Sequence, residues 1–280
     1  MHPQSPERRR LFADQVRSAR PDLAQLCLLI GAEADPELDD TDMRAARRIL
    51  DRLADQLTEL LSDRPRGPRS LALALAELLG TRYGFRGRPG DYQHLSSVLL
   101  HEVLRRRRGL PILLSVVWIE VARRAGVPVH GVALPGHFVV GFGTRDEQVL
   151  ANPFAGGQVL SRADAELMVA GATGAPLAPS MLNPAGPLDI VLRILNNVRA
   201  WAAARPERSD VALWAVELSL LLPAHSDRLH YDRAQLLVQR GDFLAGAVEI
   251  ETYADTLAAT DEAAAVLLRR EAHGARAMLN

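Results

Sequence analysis

Apolar residues recur every three or four positions over most of the chain, a spacing that predicts helices. In PDLAQLCLLIGAEADPELD, this spacing places Cys27 on the buried face of a first helix. After the break RPRGPRS, the stretch SLALALAELLGTRYGF continues the helical pattern as far as Gly84. Between these two segments lies a long predicted helix whose apolar stripe consists of Met43, Ala46, Leu50, Leu53, Leu57 and Leu60.

Two further helices are predicted, and they differ in how much of their surface is apolar. SSVLLHEVLRRRRG predicts a short helix capped by Ser96 or Ser97 and closed by Gly109. LPILLSVVWIEVARRAG begins at Pro111, which the first helical turn tolerates, and ends at Gly126. Because this second helix is apolar around most of its circumference, we expect it at the centre of the fold.

The pattern then changes to short valine-rich runs bounded by glycine and proline, which predict strands over VPVHGVAL, HFVVGF and QVLANPF. If Gly143–Asp146 forms a four-residue hairpin loop, Phe142 pairs with Glu147. The same register sets His137 opposite Asn152, with Cβ atoms about 5 Å apart. We therefore expect a hydrogen bond between this imidazole and this amide, around 3 Å long.

The segment AGATGAPLAPSMLNPAGP is rich in glycine, proline and alanine, and predicts a linker. Every segment beyond it is helical, and the RGDF corner between two helices of matching length resembles a tetratricopeptide helix pair. One or two such pairs form a capping tail and not a long solenoid. The predicted organisation is a core over residues 1–172, a linker over 173–188 and a helical tail over 189–280.

Composition excludes several classes of function but says little about the fold. The 280 residues are enough to bury a large core, and a net charge of −1 favours neither nucleic acid nor membrane as a partner. One cysteine excludes an intramolecular disulfide and is typical of a cytoplasmic protein. No apolar run is long enough to span a bilayer, and the N-terminus lacks the apolar centre of an export signal. We expect no cofactor and no metal.

Four consecutive arginines, Arg105 to Arg108, end the short predicted helix. Such a run could bind phosphate groups. A solvated helix end is the favoured interpretation, because the helix dipole favours cations at this position.

A central helix followed by strands that carry a histidine and then an amide or carboxylate is the arrangement of papain-like and transglutaminase-like enzymes. In those enzymes a thiol at the helix N-terminus attacks, the histidine takes its proton, and the third group fixes the tautomer of the histidine. In this chain His137 follows a Pro-Gly turn and Asn152 lies in the next strand. These two residues are the candidate catalytic pair.

Four stretches, YGFRG, DY, VLRRRRGLPILLSVVWIEVARRAGVPVHGVALPGHFVVGF and NPFAGGQVLS, resemble SirB-type proteins of the transglutaminase-like superfamily. The helices with RILNNV resemble the tetratricopeptide-like segment of that family, so the resemblance runs from Asp22 to the C-terminus. It implies an α+β, mostly helical fold: a transglutaminase-like, papain-like core with a small antiparallel sheet, followed by a helical tail.

The resemblance also implies roles for individual residues. His137 matches the histidine of the superfamily, and Asn152 stands in place of the usual aspartate. Pro111 falls where active members carry cysteine, so the nucleophile is missing. Upstream, Ser97 and His101 stand where asparagines are expected. Because of these departures, we do not expect this protein to keep an activity that is common to the family.

Other residues are less suited to act as the nucleophile or as metal ligands. Ser115 lies one turn after Pro111 on the same helix face, and would need to be exposed within about 3 Å of an imidazole nitrogen. Cys27 comes from a predicted core position in another helix. A metal site built on His101, His130 and His137 lacks ligand-like spacing.

Two interpretations of His137 remain open: a histidine that locks the hairpin through Asn152, or one that lines a cleft which binds a peptide without cleaving it. The first functional hypothesis is a cytoplasmic pseudoenzyme that acts as a peptide-binding or scaffold protein. The alternative is an amide hydrolase or acyl transferase that uses His137 with Ser115 or an activated water. The expected partner is a protein or peptide, with no nucleic acid and no membrane, and the oligomeric state is left open.

Overall fold

The computed structural model describes residues 5–144 and 147–278. The chain forms two compact units: the first contains Arg20–Ile194, and the second combines Pro6–Ala19 with Leu195–Asn280. The helices of the described residues are α1 (Ser5–Val16), α2 (Leu23–Ala34), α3 (Asp40–Leu60), α4 (Pro68–Leu75), α5 (Leu100–Arg106), α6 (Pro111–Arg124), α7 (Arg162–Thr173), α8 (Pro187–Ala203), α9 (Ser209–Leu220), α10 (Arg228–Gln239), α11 (Phe243–Ala258) and α12 (Glu262–Ala277).

A small sheet completes the first unit, and all its strand pairs are antiparallel. Its strands, in the spatial order β4-β3-β2-β1-β5, confirm the predicted α+β, mostly helical class with a small antiparallel sheet. Their bounds are β1 (Val129–Val132), β2 (Val139–Phe142), β3 (Val149–Asn152), β4 (Gln158–Leu160) and β5 (Pro184–Ala185).

The register predicted for the central hairpin was wrong by two residues. Phe142 pairs with Val149 and not with Glu147, because the connection is longer than the assumed four-residue loop. Arg145 and Asp146 of that loop lie outside the described residues. A shift of two positions keeps every side chain on its original face of the sheet, since side chains alternate with period two.

Helix α6 lies at the centre of the first unit, as its composition predicts. Every residue from Pro111 to Ala122 is buried, and the helix packs against β1, β2 and α3. Pro111 occupies the first helical turn, where its missing N–H costs nothing. Gly126 follows the C-terminus with a positive φ of 67°, a conformation that glycine adopts without strain.

Both ends predicted for α5 were wrong. The helix has no side-chain cap, because Ser96 and Ser97 belong to a separate 3₁₀ turn, Leu95–Val98, that precedes it. At the other end, Arg107 closes the helix in the left-handed conformation, two residues before Gly109. A polar residue just ahead of an apolar run is therefore not a helix cap here.

Three elements of the first unit were not predicted: α7, β4 and β5. A capping box between Ser161 and Asp164 starts α7, and this S-x-x-D signal was readable in the sequence. Strand β5 lies inside the stretch 173–188, where Pro184 pairs with Val132 of β1. That stretch belongs to the first compact unit, and the division between the units falls after Ile194, inside α8.

The second unit is helical, as predicted for the tail, and also contains α1. Helices α10, α11 and α12 pack in sequence against one another. Their shared core is built mostly from alanine, whose small side chain lets helices approach closely, together with one isoleucine: Ala234, Ala247, Ile250, Ala272 and Ala275. An ion pair of 2.6 Å joins Arg9 of α1 to Glu217 of α9. Among the described residues, no helix combines the length and apolar character needed to cross a membrane.

Candidate functional site

His137 follows a tight turn that leads into β2. Gly136 has a φ of 69°, and the His137 N–H donates to the carbonyl of Leu134 over 3.1 Å. Asn152 is the last residue of β3, and its side chain is 8% exposed. The Nε2 atom of His137 lies 3.0 Å from Oδ1 of Asn152, so the predicted contact is present although the register differs. A register shift of two residues leaves both side chains on the same face of the sheet. His137 and Asn152 therefore contact each other diagonally and not directly across the hairpin.

The neighbours of Asn152 determine which nitrogen of His137 carries a proton. The backbone N–H of Phe154 donates to the same Oδ1 atom, over 3.1 Å. A backbone N–H can only donate, so the atom that it meets is the amide oxygen, an acceptor. His137 must therefore donate from Nε2–H, which leaves Nδ1 with a free lone pair in the neutral ring. This is the tautomer that a general base requires.

Burial keeps this imidazole neutral. Desolvation lowers the pKa of His137 below its ordinary value, the hydrogen bond to Asn152 partly offsets the shift, and the charge of Arg193 lowers the pKa further. The ring is thus uncharged at neutral pH, and its Nδ1 atom can accept a hydrogen bond.

Arg193 of α8 holds the turn that carries His137. Its guanidinium donates to the carbonyl oxygens of Leu134 and His137 over 2.8 and 2.7 Å. The guanidinium carbon also lies 5.5 Å from the centre of the Phe138 ring, within cation–π range. These contacts make Arg193 a positioning residue that fixes the backbone on both sides of the Pro-Gly turn.

Two aromatic rings form a wall beside the imidazole. The edge of Phe154 meets the His137 ring at 90°, with centroids 5.9 Å apart, and Tyr92 lies 6.2 Å from Phe154. Tyr92 is 47% exposed, so the wall reaches the surface. The sequence pattern does not identify Arg193, Tyr92 or Phe154 as site residues. Only tertiary packing brings Arg193 and Tyr92 to His137, and Phe154, two residues after Asn152, carries no polar group that would mark it.

The first turns of α6 lie beside the same loop. The hydroxyl of Ser115 is 3.5 Å from the carbonyl oxygen of Phe138, the residue that follows His137. One turn earlier, Pro111 occupies the position that carries the nucleophile in active members by resemblance. Its ring offers no nucleophile and no backbone N–H.

The other candidate nucleophiles are enclosed by the core. Ser115 is 0% exposed, and its hydroxyl faces a backbone carbonyl. Cys27 is 1% exposed in α2, and burial raises the pKa of its thiol, so the reactive thiolate is disfavoured. Neither position meets the condition of exposure that nucleophilic attack on a bound substrate requires.

The remaining histidines serve local contacts. His130 lies 2.7 Å from the amide nitrogen of Gln148, and His101 lies 3.6 Å from a carboxylate oxygen of Asp35. Within residues 5–144 and 147–278, no group of three histidine, cysteine or acidic side chains could hold a metal ion.

The arginine run is not simply a solvated helix end. Arg108 pairs over 2.9 Å with Asp91, which is 0% exposed and also accepts the backbone N–H of Arg88. Arg105 pairs with Glu102 on the surface. The run thus contains one structural ion pair of the core, which no local pattern reveals, because its partner lies 17 residues away.

Fold and site together define a class: an α+β core in which a buried central helix lies beside a histidine–amide pair on antiparallel strands. The sequence pattern described as the transglutaminase-like superfamily matches residues 44–196, and the tetratricopeptide repeat pattern matches residues 198–280. The chain belongs to the transglutaminase-like superfamily.

Relatives of similar length support this membership. The UPF0162 protein of Xylella fastidiosa strain 9a5c is 30% identical over 227 residues, which cover 78% of each chain. The UPF0162 protein of strain Temecula1 is 30% identical over 240 residues, 82% of each chain. A shorter match joins 67 residues to the F-box only protein 21 of Mus musculus at 37% identity, covering 24% of this chain and 11% of that protein.

Proposed function

We propose that this protein is a pseudoenzyme of the transglutaminase-like superfamily that binds peptide amide groups without cleaving them. One observation carries the proposal: the histidine–amide pair is intact, with 3.0 Å between His137 and Asn152, whereas Cys27, the one cysteine of the chain, is buried in another helix. Loss of the nucleophile from a catalytic triad removes about six orders of magnitude of rate. Binding does not depend on the thiol.

The free lone pair on Nδ1 of His137 supports a ligand that donates a hydrogen bond, such as a backbone or glutamine N–H. Phe154 and Tyr92 would supply apolar contact area beside that hydrogen bond. An uncharged imidazole suits an amide better than a carboxylate. The ligand class is therefore a peptide segment.

The tetratricopeptide-like helices support a scaffold role with a protein partner, since stacked helix pairs present concave surfaces. We place the protein in the cytoplasm and among the SirB-type members as part of the same proposal. The support is the single reduced cysteine and the motif series from YGFRG to NPFAGGQVLS.

An activity assay tests the absence of catalysis. The purified full chain should neither deamidate nor transamidate a glutamine peptide above the rate in buffer. Pro111→Cys should also be inactive, because a thiol alone does not restore the alignment of oxyanion donors. Turnover by the wild-type chain that His137→Ala abolishes would instead establish the hydrolase alternative with an activated water. The buried hydroxyl of Ser115 does not favour the serine form of that alternative.

A binding titration tests the cleft itself. Nuclear magnetic resonance of the full chain with a glutamine-containing peptide should shift the signals of His137, Phe154 and Tyr92. His137→Ala should lower the affinity for the peptide about tenfold, because one hydrogen bond is lost. His273→Ala, on the exposed face of α12, should leave the affinity unchanged. Equal affinity of both variants would contradict the proposal.

A further inference from the structure

A cavity of about 490 Å³, separate from the site around His137, opens between α3, α5 and the residues that follow the π-helical segment Ala76–Arg82. None of the residues that line it belongs to the site around His137. Its floor is apolar and contains Leu53, Phe85 and Leu104, which are buried. The volume lies in the range of sites that bind small organic molecules.

The rim of this cavity is positively charged. Arg52, Arg105 and Arg107 line it, and no carboxylate is among the described lining residues. Arg105 is paired with Glu102 over 2.7 Å. Arg52 is exposed and has no hydrogen bond or ion pair to any residue within the described ranges. The cavity therefore combines an apolar floor with guanidinium charge that the protein leaves uncompensated.

Arg107 stands where a glycine would be favoured. It is the one non-glycine residue of the described chain with a positive φ, 55°, at the C-terminus of α5. Its guanidinium carbon lies 5.3 Å from the centre of the Tyr83 ring, and its Nη1 atom donates to the Tyr83 carbonyl oxygen over 3.3 Å. The Tyr83 hydroxyl in turn donates to Gln56 over 2.8 Å, which fixes the ring. A costly backbone conformation that directs a fixed guanidinium to a cavity is typical of a binding site.

We infer that this cavity binds a small organic phosphate, with the phosphate group between Arg52 and Arg107 and the apolar body on the floor. Guanidinium groups bind phosphate oxygens through paired hydrogen bonds, and such charge-assisted bonds are stronger than neutral ones. Leu53, Phe85 and Leu104 bury the apolar body of the ligand. The charged rim and the apolar floor together favour a ligand that carries a phosphate group and an apolar group in one molecule.

Calorimetric titration of the full chain at pH 7.5 with phenyl phosphate, inorganic phosphate and phenol separates these contributions. Phenyl phosphate should bind at least about tenfold more tightly than either fragment, and its affinity should fall as salt rises. Absence of saturable binding by phenyl phosphate, or equal binding by phenol, would overturn the inference.

Variants then locate the binding. Arg52→Gln and Arg107→Gly should each weaken phenyl phosphate about tenfold, whereas Arg44→Gln, on the same helix as Arg52 but outside the lining, should not. Arg107→Gly also relieves the left-handed strain, so its melting temperature should not fall, which separates loss of binding from loss of fold. Wild-type affinity in either rim variant would overturn the inference, whatever the outcome for His137.

Discussion

The local environments of single residues determine the protonation chemistry of this protein. Burial lowers the pKa of His101, His130 and His137, so in the folded state all three resist protonation. The unfolded chain binds those protons at the ordinary pKa, about 6.5. The free energy of unfolding should therefore be greatest above about pH 7 and should fall as the pH drops below that ordinary pKa toward the lowered values.

Urea denaturation between pH 7.5 and 5.5 measures this dependence. Each histidine contributes at most about 1.4 kcal/mol per pH unit. His101→Asn should flatten the profile, because it removes one of the three groups whose pKa is lowered on folding. A profile that rises toward pH 5.5 would contradict the assignment.

Cys27 behaves as a small core residue. Its thiol should not react with iodoacetamide in the folded protein and should react once the chain is unfolded, because both burial and the raised pKa suppress the thiolate. Cys27→Ala should cost about 1 kcal/mol of unfolding free energy and leave peptide binding intact. Rapid labelling of the native protein would show instead that α2 opens.

At the scale of elements, the π-helical segment Ala76–Arg82 depends on one glycine. A Cβ atom on Gly80 would lie 1.9 Å from the carbonyl oxygen of Gly156, in the turn that follows β3. Gly80→Ala should therefore destabilise the protein by at least about 2 kcal/mol in denaturant unfolding. The matched change Gly171→Ala, in α7 with open space around it, should be neutral or stabilising. Equal effects of the two changes would contradict this packing.

The elements that the sequence predicts well are those whose own periodicity identifies them. The buried stripe of α3 and the all-round apolar surface of α6 repeat over three or more turns. The residues of each helix are therefore enough to predict which of its faces is buried. Strands β4 and β5 have three and two residues, too few to show alternation. Their existence depends on pairing with β3 and β1, which is tertiary information.

The candidate site also contains residues that the sequence predicts and residues that only the tertiary structure brings together. His137 and Asn152 could be paired in advance because they lie on the two arms of one hairpin, where an error of two residues preserves the face. Arg193 and Tyr92 reach the site from positions 56 and 45 residues away from His137, and no local pattern connects them. The left-handed conformation of Arg107 was equally unpredictable, since a glycine two residues later was the expected helix stop.

At the scale of the whole molecule, residues Pro6–Ala19 belong to the same compact unit as the C-terminal helices. Phe12 and Val16 of α1 are buried, and Arg9 pairs with Glu217. Deletion of residues 1–19 should therefore destabilise the tetratricopeptide-like unit by at least about 3 kcal/mol, measured by calorimetry. Arg9→Gln alone should cost about 1 kcal/mol or less, because this ion pair is partly exposed. A deletion no more costly than Arg9→Gln would show that α1 is dispensable.

Limited proteolysis tests the linker predicted over 173–188. Residues 171–176 are all exposed, and Gly174 closes α7 in the left-handed conformation, so a protease of broad specificity should cut there first. The two fragments should remain together on a sizing column, because β5 pairs with β1 beyond the cut. A first cut at another loop would contradict the prediction.

The two residues of β5 also determine what the outer edge of the sheet beside β1 presents. An unpaired strand edge exposes N–H and C=O groups on which other molecules can add, the route to aggregates and fibrils. Here Pro184 covers Val132 of β1, and its missing N–H makes the new outer edge a poor template for a further strand. A shortened chain that stopped at residue 172 would uncover β1, so a fragment that keeps this edge covered must extend at least through Ala185.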